Sequence, residues 1–345
     1  MKLLTFEHNG SRHIGALLAD SETISDFTAS EPSAPHFRDM LSLIDAGVDA
    51  SAEARDLVER PKVRLSYSSV CLLAPVPEPR QMRDFLCFEK HLRQARANRY
   101  LFGIGDKAMD PANVEVPAIW YEQPIYYKCN RFSVIGSDQD VRWPRYCKIF
   151  DYELEFGIFL GAGGKNIPRD DAHKHIFGYC IFNDFSARDA QMREMQGQLG
   201  PAKGKDFDTG NVLGPWLVTA DEIPDTCSLG MIARVNGEEW SRGNSAEMNH
   251  KFEDILVHAS SEETLHPGEF FGSGTVGNGC GLELGRFLKP GDLVELEVER
   301  LGYCETGLSR IPSFDESGLV ELAAGPLALA GRARIGYSFQ HFLEA

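Results

Sequence analysis

The sequence predicts an α+β, strand-dominated protein in which a small N-terminal α+β domain precedes a larger one. Three observations lead there. The chain has 345 residues, 43% of them hydrophobic, enough for a full core and for more than one domain. From Asp151 onward the apolar runs are short and bounded by turn residues, as strands are. A proline-dense run, Ala74-Pro75-Val76-Pro77-Glu78-Pro79, falls where neither helix nor inner strand can continue, because proline lacks a backbone donor and restricts its neighbour.

Taken in order, residues 1–73 alternate short apolar runs with turn signals such as Asn9-Gly10 and then carry a helical stretch over 37–58. They form the expected small domain, residues 74–80 the linker, and residues 81–345 the larger domain. Residues 84–99 are predicted helical, with Phe85, Phe88, Leu92 and Ala95 spaced along one apolar face. Strands are expected at 158–160, 179–182, 216–218 and 231–235, the last closed by an Asn236-Gly237 hairpin turn. After the turn Lys289-Pro290-Gly291-Asp292, residues 293–298 alternate strictly.

The formal net charge of -16 argues against nucleic acid as a partner and against an acidic membrane surface. The N-terminus lacks the long apolar core of a signal peptide, and no stretch is apolar enough to span a bilayer, so a cytoplasmic location is expected. The eight cysteines are scattered, with no C-x-x-C pair, which fits reduced thiols better than disulfides or zinc.

Most carboxylates on such a chain are a solvated surface, so only clusters carry a functional reading. In Asp151-Tyr152-Glu153-Leu154-Glu155, a strand would point Glu153 and Glu155 to one face, where two carboxylates repel unless a hard cation lies between them. Glu295 and Glu297 share that spacing and read as an exposed strand face. An apolar strand ends at Asp184, and Ser186 with Asp189 suggests a capping box opening a helix on which Arg188 and Gln191 share a face. Lys205, in a glycine-rich segment without the phosphate-loop spacing, suits an oxyanion or carboxylate. Thr275, in Gly272-Ser273-Gly274-Thr275, adds a hydroxyl to a turn of backbone donors. On a regular helix Asp84 and His91 would lie two turns apart on one face, a metal ligand at one end and a base at the other.

Together, Asp151-Tyr152-Glu153-Leu154-Glu155, Asn183-Asp184-Phe185-Ser186-Ala187-Arg188-Asp189-Ala190-Gln191, and Gly204-Lys205-Asp206-Phe207 leading to Gly214-Pro215-Trp216 resemble the fumarylacetoacetate hydrolase family, over residues 84–284. The resemblance implies a mixed β-roll catalytic domain of fumarylacetoacetate hydrolase type, usually in a homodimer. It further implies a divalent cation (Mg²⁺, or Mn²⁺ or Ca²⁺) held by Asp84, Glu153, Glu155 and Asp184. By the same resemblance His91 is the general base, Glu283 orients it, and Lys205 with Arg188, Gln191 and Thr275 holds substrate oxygens or developing charge. Tyr127 and Lys128 are implied substrate contacts. The expected reaction is hydrolysis of a carbon–carbon bond in an acylpyruvate or β-diketo acid, with an enolate leaving group. The alternatives on the same site are decarboxylation of an oxaloacetate-like acid and an isomerase or hydratase step of aromatic degradation.

Overall fold

The computed structural model describes residues 1–310 apart from positions 138, 224, 225 and 227, and the side chain of 310. Cys227 and the expected end of the larger domain at 345 lie outside the described residues.

Strands dominate, as the short apolar runs require, and they form open sheets. Among the described residues the largest has 12 strands, and from Lys2–His8 to its edge it runs Lys2–His8, Asn211–Thr219, Ile176–Asp184, Leu154–Leu160, Phe270–Gly272, Met82–Phe85 and Tyr126–Lys128. The N-terminal strands thus continue the sheet that carries the inner strands, through the pairing of Lys2 with Val218. A second sheet of five strands includes Gly230–Val235, Glu238–Asn244 and Leu293–Val298. Its hairpin turns at Asn236 (φ 54°) and Gly237 (φ 80°), the left-handed pair that an Asn-Gly turn supplies cheaply. Glu295 and Glu297 do lie on the half-exposed face of their strand, and Glu297 pairs with Arg234 at 2.8 Å.

The strand Leu154–Leu160 is buried along its whole length because both faces of the sheet are covered. Leu154, Phe156 and Ile158 pack toward the second sheet, with Tyr179, Ile181, Val294 and Leu296. Phe159, Cys180, Phe182, Leu213 and Phe270 pack on the other face, against Leu43, Ile44, Ala54 and Leu57. Those last residues belong to the helix Met40–Glu59, which covers the predicted 37–58 stretch but breaks at Gly47 (φ 69°).

Two local expectations change. Residues 84–88 are not helix: Met82–Phe85 is a buried strand paired with Phe270–Gly272 and Tyr126–Lys128, and the helix is Glu89–Ala97. Four consecutive buried side chains need two covered faces, which an inner strand has and an amphipathic helix lacks. The Ser186–Asp189 capping box does not form either. Ser186 is tied into a ladder with Asp151 and donates to the Asp184 carbonyl at 3.1 Å, while Asp189 accepts from the Lys148 amide at 2.9 Å.

Candidate functional site

Register gathers the acidic residues. Gly157 lies beside Gly272, Gly272 beside Asp84, Asp84 beside Tyr127, and Glu155 beside Phe182, two residues before Asp184. Side chains alternate along a strand, so Asp84, Glu155, Asp184 and Tyr127 share a face with Met82, Phe159, Phe182 and Phe270. A Cβ on Gly272 would collide with the Asp84 carboxylate, so glycine there leaves the room in which the cluster assembles.

One carboxylate oxygen each of Asp84, Glu155 and Asp184 lies within 4.8 Å of the others, and all three residues are buried. Some of their oxygens have fixed donors. Tyr127 Oη donates to Asp184 Oδ2 at 2.6 Å, Thr275 Oγ1 to Glu155 Oε1 at 3.0 Å, and the Gly274 amide to Asp84 Oδ1 at 3.1 Å. Glu155 Oε2 and Asp184 Oδ1 are buried with no hydrogen-bond partner. Carboxylate oxygens without partners in a dry site are costly once ionised, and a hard divalent cation is the group that satisfies both at once. The residues therefore fit the implied metal.

Electrostatics divides the four predicted ligands. Burial, then the neighbouring Asp184 charge, pushes the Asp84 carboxyl up to about 7. Glu155 is raised well above the usual range by burial and by Asp84, and Asp184 is raised by burial in spite of Lys205. Glu153 goes the other way: burial raises it, but Arg188 and Lys205 outweigh that and hold it at about 2. Its two oxygens are both engaged, Oε1 by Arg188 Nη2 at 2.7 Å and Oε2 by Lys205 Nζ at 2.6 Å. Lys205 also donates to Asp184 Oδ2 at 2.6 Å, so the ammonium sits between Glu153 and the three-carboxylate cluster.

The raised carboxylates make a pH prediction. In the metal-free protein they stay protonated above the pH at which the unfolded chain has released those protons, so stability falls as pH rises from about 4 through about 7. A cation must displace the same protons, so its affinity climbs over that window. Thermal midpoints with chelator and with saturating Mn²⁺ should diverge between about pH 6 and about pH 8, the gap widening with pH. A constant gap would count against a shared cation.

His91, on the helix Glu89–Ala97 and near enough to Glu153 to help lower its carboxyl, places Nδ1 at 3.1 Å from Glu283 Oε1, both groups buried. The carboxylate accepts there, so Nδ1 carries the proton and Nε2 is left as the unprotonated ring nitrogen. Glu283 Oε2 is fixed in turn by the Cys280 amide at 3.0 Å. Asp151 ties this pair to the acidic cluster. It accepts from the Gly281 and Leu282 amides, at 2.7 and 2.9 Å, and from Arg188 Nε at 2.8 Å. Arg188 also donates to Gln191 Oε1 at 2.9 Å, so the amide oxygen of Gln191 is engaged as an acceptor and its N–H groups remain donors.

Of the predicted substrate contacts, Arg188, Gln191, Tyr127 and Thr275 all reach the cluster or its partners. Lys128 does not. Strand alternation sends it to the opposite face from Tyr127, 54% exposed and 3.8 Å from Glu263. Asp151 is not among the predicted functional residues, although it shares the period-two spacing of Glu153 and Glu155. Nor is Cys280, which joins His91 and Glu283 in a second buried group of donor atoms.

Residues 81–309 match the family model "Fumarylacetoacetate (FAA) hydrolase C-terminal". The chain is 34% identical to the oxaloacetate tautomerase of Xenopus laevis over 308 residues, 88% of each chain. It is 32% identical to a human oxaloacetate tautomerase over 308 residues, 88% of this chain and 90% of that one. Both relatives are described as mitochondrial, so they lend the cytoplasmic expectation no support. Among the described residues no helix is long and apolar enough to cross a membrane. In fold the chain is similar to a fumarylacetoacetate hydrolase of Exiguobacterium antarcticum, with a TM-score of 0.69 at 24% identity over 90% of this chain and all of that one. A maleylpyruvate hydrolase of Sphingobium sp. SYK-6 superposes with a TM-score of 0.68 at 21% identity, over 90% of this chain and 99% of that one.

Proposed function

Because the chain belongs to the fumarylacetoacetate hydrolase family, we propose that it is a divalent-metal-dependent enzyme that hydrolyses a carbon–carbon bond in a small dioxo-acid of the acylpyruvate type. The observation that carries this reading is the buried His91–Glu283 pair together with three clustered carboxylates, two of whose oxygens are buried without a partner. Asp84, Glu155 and Asp184 would hold the ion, and Glu153 would join them by exchanging its Lys205 partner for it. Mg²⁺, Mn²⁺ and Ca²⁺ all suit such oxygens, and the Sphingobium hydrolase was solved with Mn²⁺ and pyruvate. When bound, the cation supplies Lewis-acid polarisation of the substrate's oxygens and neutralises charge that develops on them.

The chain's own residues account for the proton movements. Glu283 fixes the imidazole through Nδ1, and His91 Nε2 takes a proton from water as its oxygen attacks the acyl carbon. The carbon–carbon bond then breaks, its electron pair passing to the departing 2-oxo acid as an enolate while the acyl carbon becomes the new carboxylic acid. Lys205 and the Gln191 amide donate to that charge, and His91 returns the proton to the enolate carbon.

A second reading rests on the 34% identity to an oxaloacetate tautomerase. There His91 would move a proton between carbon and oxygen of a 2-oxo acid, with no water consumed. Turnover in ¹⁸O-labelled water separates the two. Hydrolysis of an acylpyruvate puts label into the new carboxylate; rapid enol-to-keto conversion of oxaloacetate with no cleavage of any acylpyruvate would overturn the hydrolase assignment. The proposed assembly is a homodimer, which sedimentation equilibrium tests.

A further inference from the structure

We propose that His91, Cys280 and Glu283 form a second metal site, one that takes a thiophilic ion such as Zn²⁺ and thereby silences the base.

His91 comes from the helix Glu89–Ala97, and Cys280 and Glu283 from the start of the short helix Gly281–Leu284, almost two hundred positions later. The fold brings one nitrogen, one sulfur and one oxygen donor within 4.8 Å of one another, all buried. The Nδ1 to Oε1 separation of 3.1 Å is close to the ligand edge of about 3.3 Å in a tetrahedral zinc site with bonds of about 2.0 Å. The cradle is also held in place. Asp151 accepts from the Gly281 and Leu282 amides, and Glu283 Oε2 accepts from the Cys280 amide. A Cβ on Gly281 would meet Asp151 and the Arg286 carbonyl, so the backbone approach depends on glycine there.

The two clusters differ in what they attract. The carboxylate cluster offers oxygen alone and selects hard ions, whereas imidazole with thiolate favours zinc. A bound Zn²⁺ displaces the Cys280 thiol proton to solvent, and thiolate plus carboxylate then neutralise its charge. Nδ1 becomes a ligand, so the imidazole proton moves to Nε2. That nitrogen can no longer accept a proton from water. A water or a substrate oxygen completes the coordination.

The inhibitory consequence rests on His91 acting as base; the binding itself does not. The experiment takes the Mg²⁺-loaded wild-type enzyme, adds Zn²⁺, and reads the zinc-edge X-ray absorption, retained magnesium and turnover. Expected are one sulfur neighbour at about 2.3 Å, magnesium retained, and turnover lost. Cys280→Ser should lose the sulfur shell and weaken Zn²⁺ binding at least ~10-fold against a chromophoric chelator, since serine still suits the start of a helix. Cys71→Ser removes the exposed thiol among the described cysteines and should keep the shell. An all-oxygen shell, release of one magnesium per zinc bound, or a sulfur shell that survives in Cys280→Ser would overturn the site. A sulfur shell at full activity would overturn the silencing and the assignment of His91 as base, while leaving the zinc site standing.

Discussion

Glu155→Gln is expected to abolish divalent-metal binding and turnover together while leaving the metal-free protein at least as stable as before. The carboxylate keeps one fixed donor, Thr275 Oγ1, and its other oxygen is buried without a partner. Burial and the neighbouring Asp84 already disfavour its charge. Glutamine keeps the volume and an oxygen for Thr275, and it removes a charge that the metal-free site does not want. The same charge is what draws the cation, so affinity should fall at least ~100-fold, because the ligand type is hard oxygen anion throughout. Turnover should fall at least ~1,000-fold, equivalent to about 4 kcal/mol of barrier, in keeping with the several kcal/mol that a metal's charge supplies. Calorimetric titration with Mn²⁺ after chelation, together with urea denaturation, reads both halves. His91→Asn is the control and should bind Mn²⁺ normally while losing turnover. A Glu155→Gln protein with undiminished Mn²⁺ affinity would remove the basis of the assignment.

Much of this site was legible because strand alternation is a local rule. Glu155 and Asp184 could be placed on buried strands from their apolar neighbours alone, and the structure gives them a common face. Asp84 was harder. Met82-Arg83-Asp84-Phe85 precedes a true helix with compatible spacing, and only its pairing with Phe270–Gly272 and Tyr126–Lys128 decides for strand. Arg83 adds to that ambiguity, since a charged residue there reads as an exposed position, yet it is buried against Glu269, Glu263 and the Phe271 ring. The capping box failed for a related reason: Ser186 was already committed to a ladder with Asp151. Cys280 was out of reach of any spacing rule. Its partner His91 is remote in sequence, and a zinc search by C-x-x-C patterns looks only at near neighbours. Long-range convergence of this kind is fixed by sheet register and helix placement, neither of which a single sequence states.

Arg188→Met should be the most damaging change to stability, on the order of 3–5 kcal/mol, because it strips a cation from carboxylates that cannot reach water. Arg188 is 2% exposed and its fork binds Asp151 through Nε, Glu153 through Nη2 and Gln191 through Nη1. Lys205 still faces Glu153, and the Gly281 and Leu282 amides still face Asp151, so the chain should fold but with a weakened link between the two. Arg188→Lys retains the charge yet cannot span both carboxylates, and about half the loss is expected to remain. The pH dependence distinguishes this account from simple loss of packing. Glu153 is held at about 2, chiefly by Arg188 against the opposing effect of burial. Its contribution to wild-type stability is therefore present above the unfolded value near 4.5 and is lost as the pH falls toward about 2. The stability difference between wild type and Arg188→Met should accordingly shrink on acidification from about pH 7 to about pH 3. Since Asp151 also anchors the turn that presents Glu283, the variant should lose turnover through a misplaced His91 even with metal bound. A pH-independent difference in urea midpoints, with normal turnover, would mean that Arg188 only fills space between the two halves of the site.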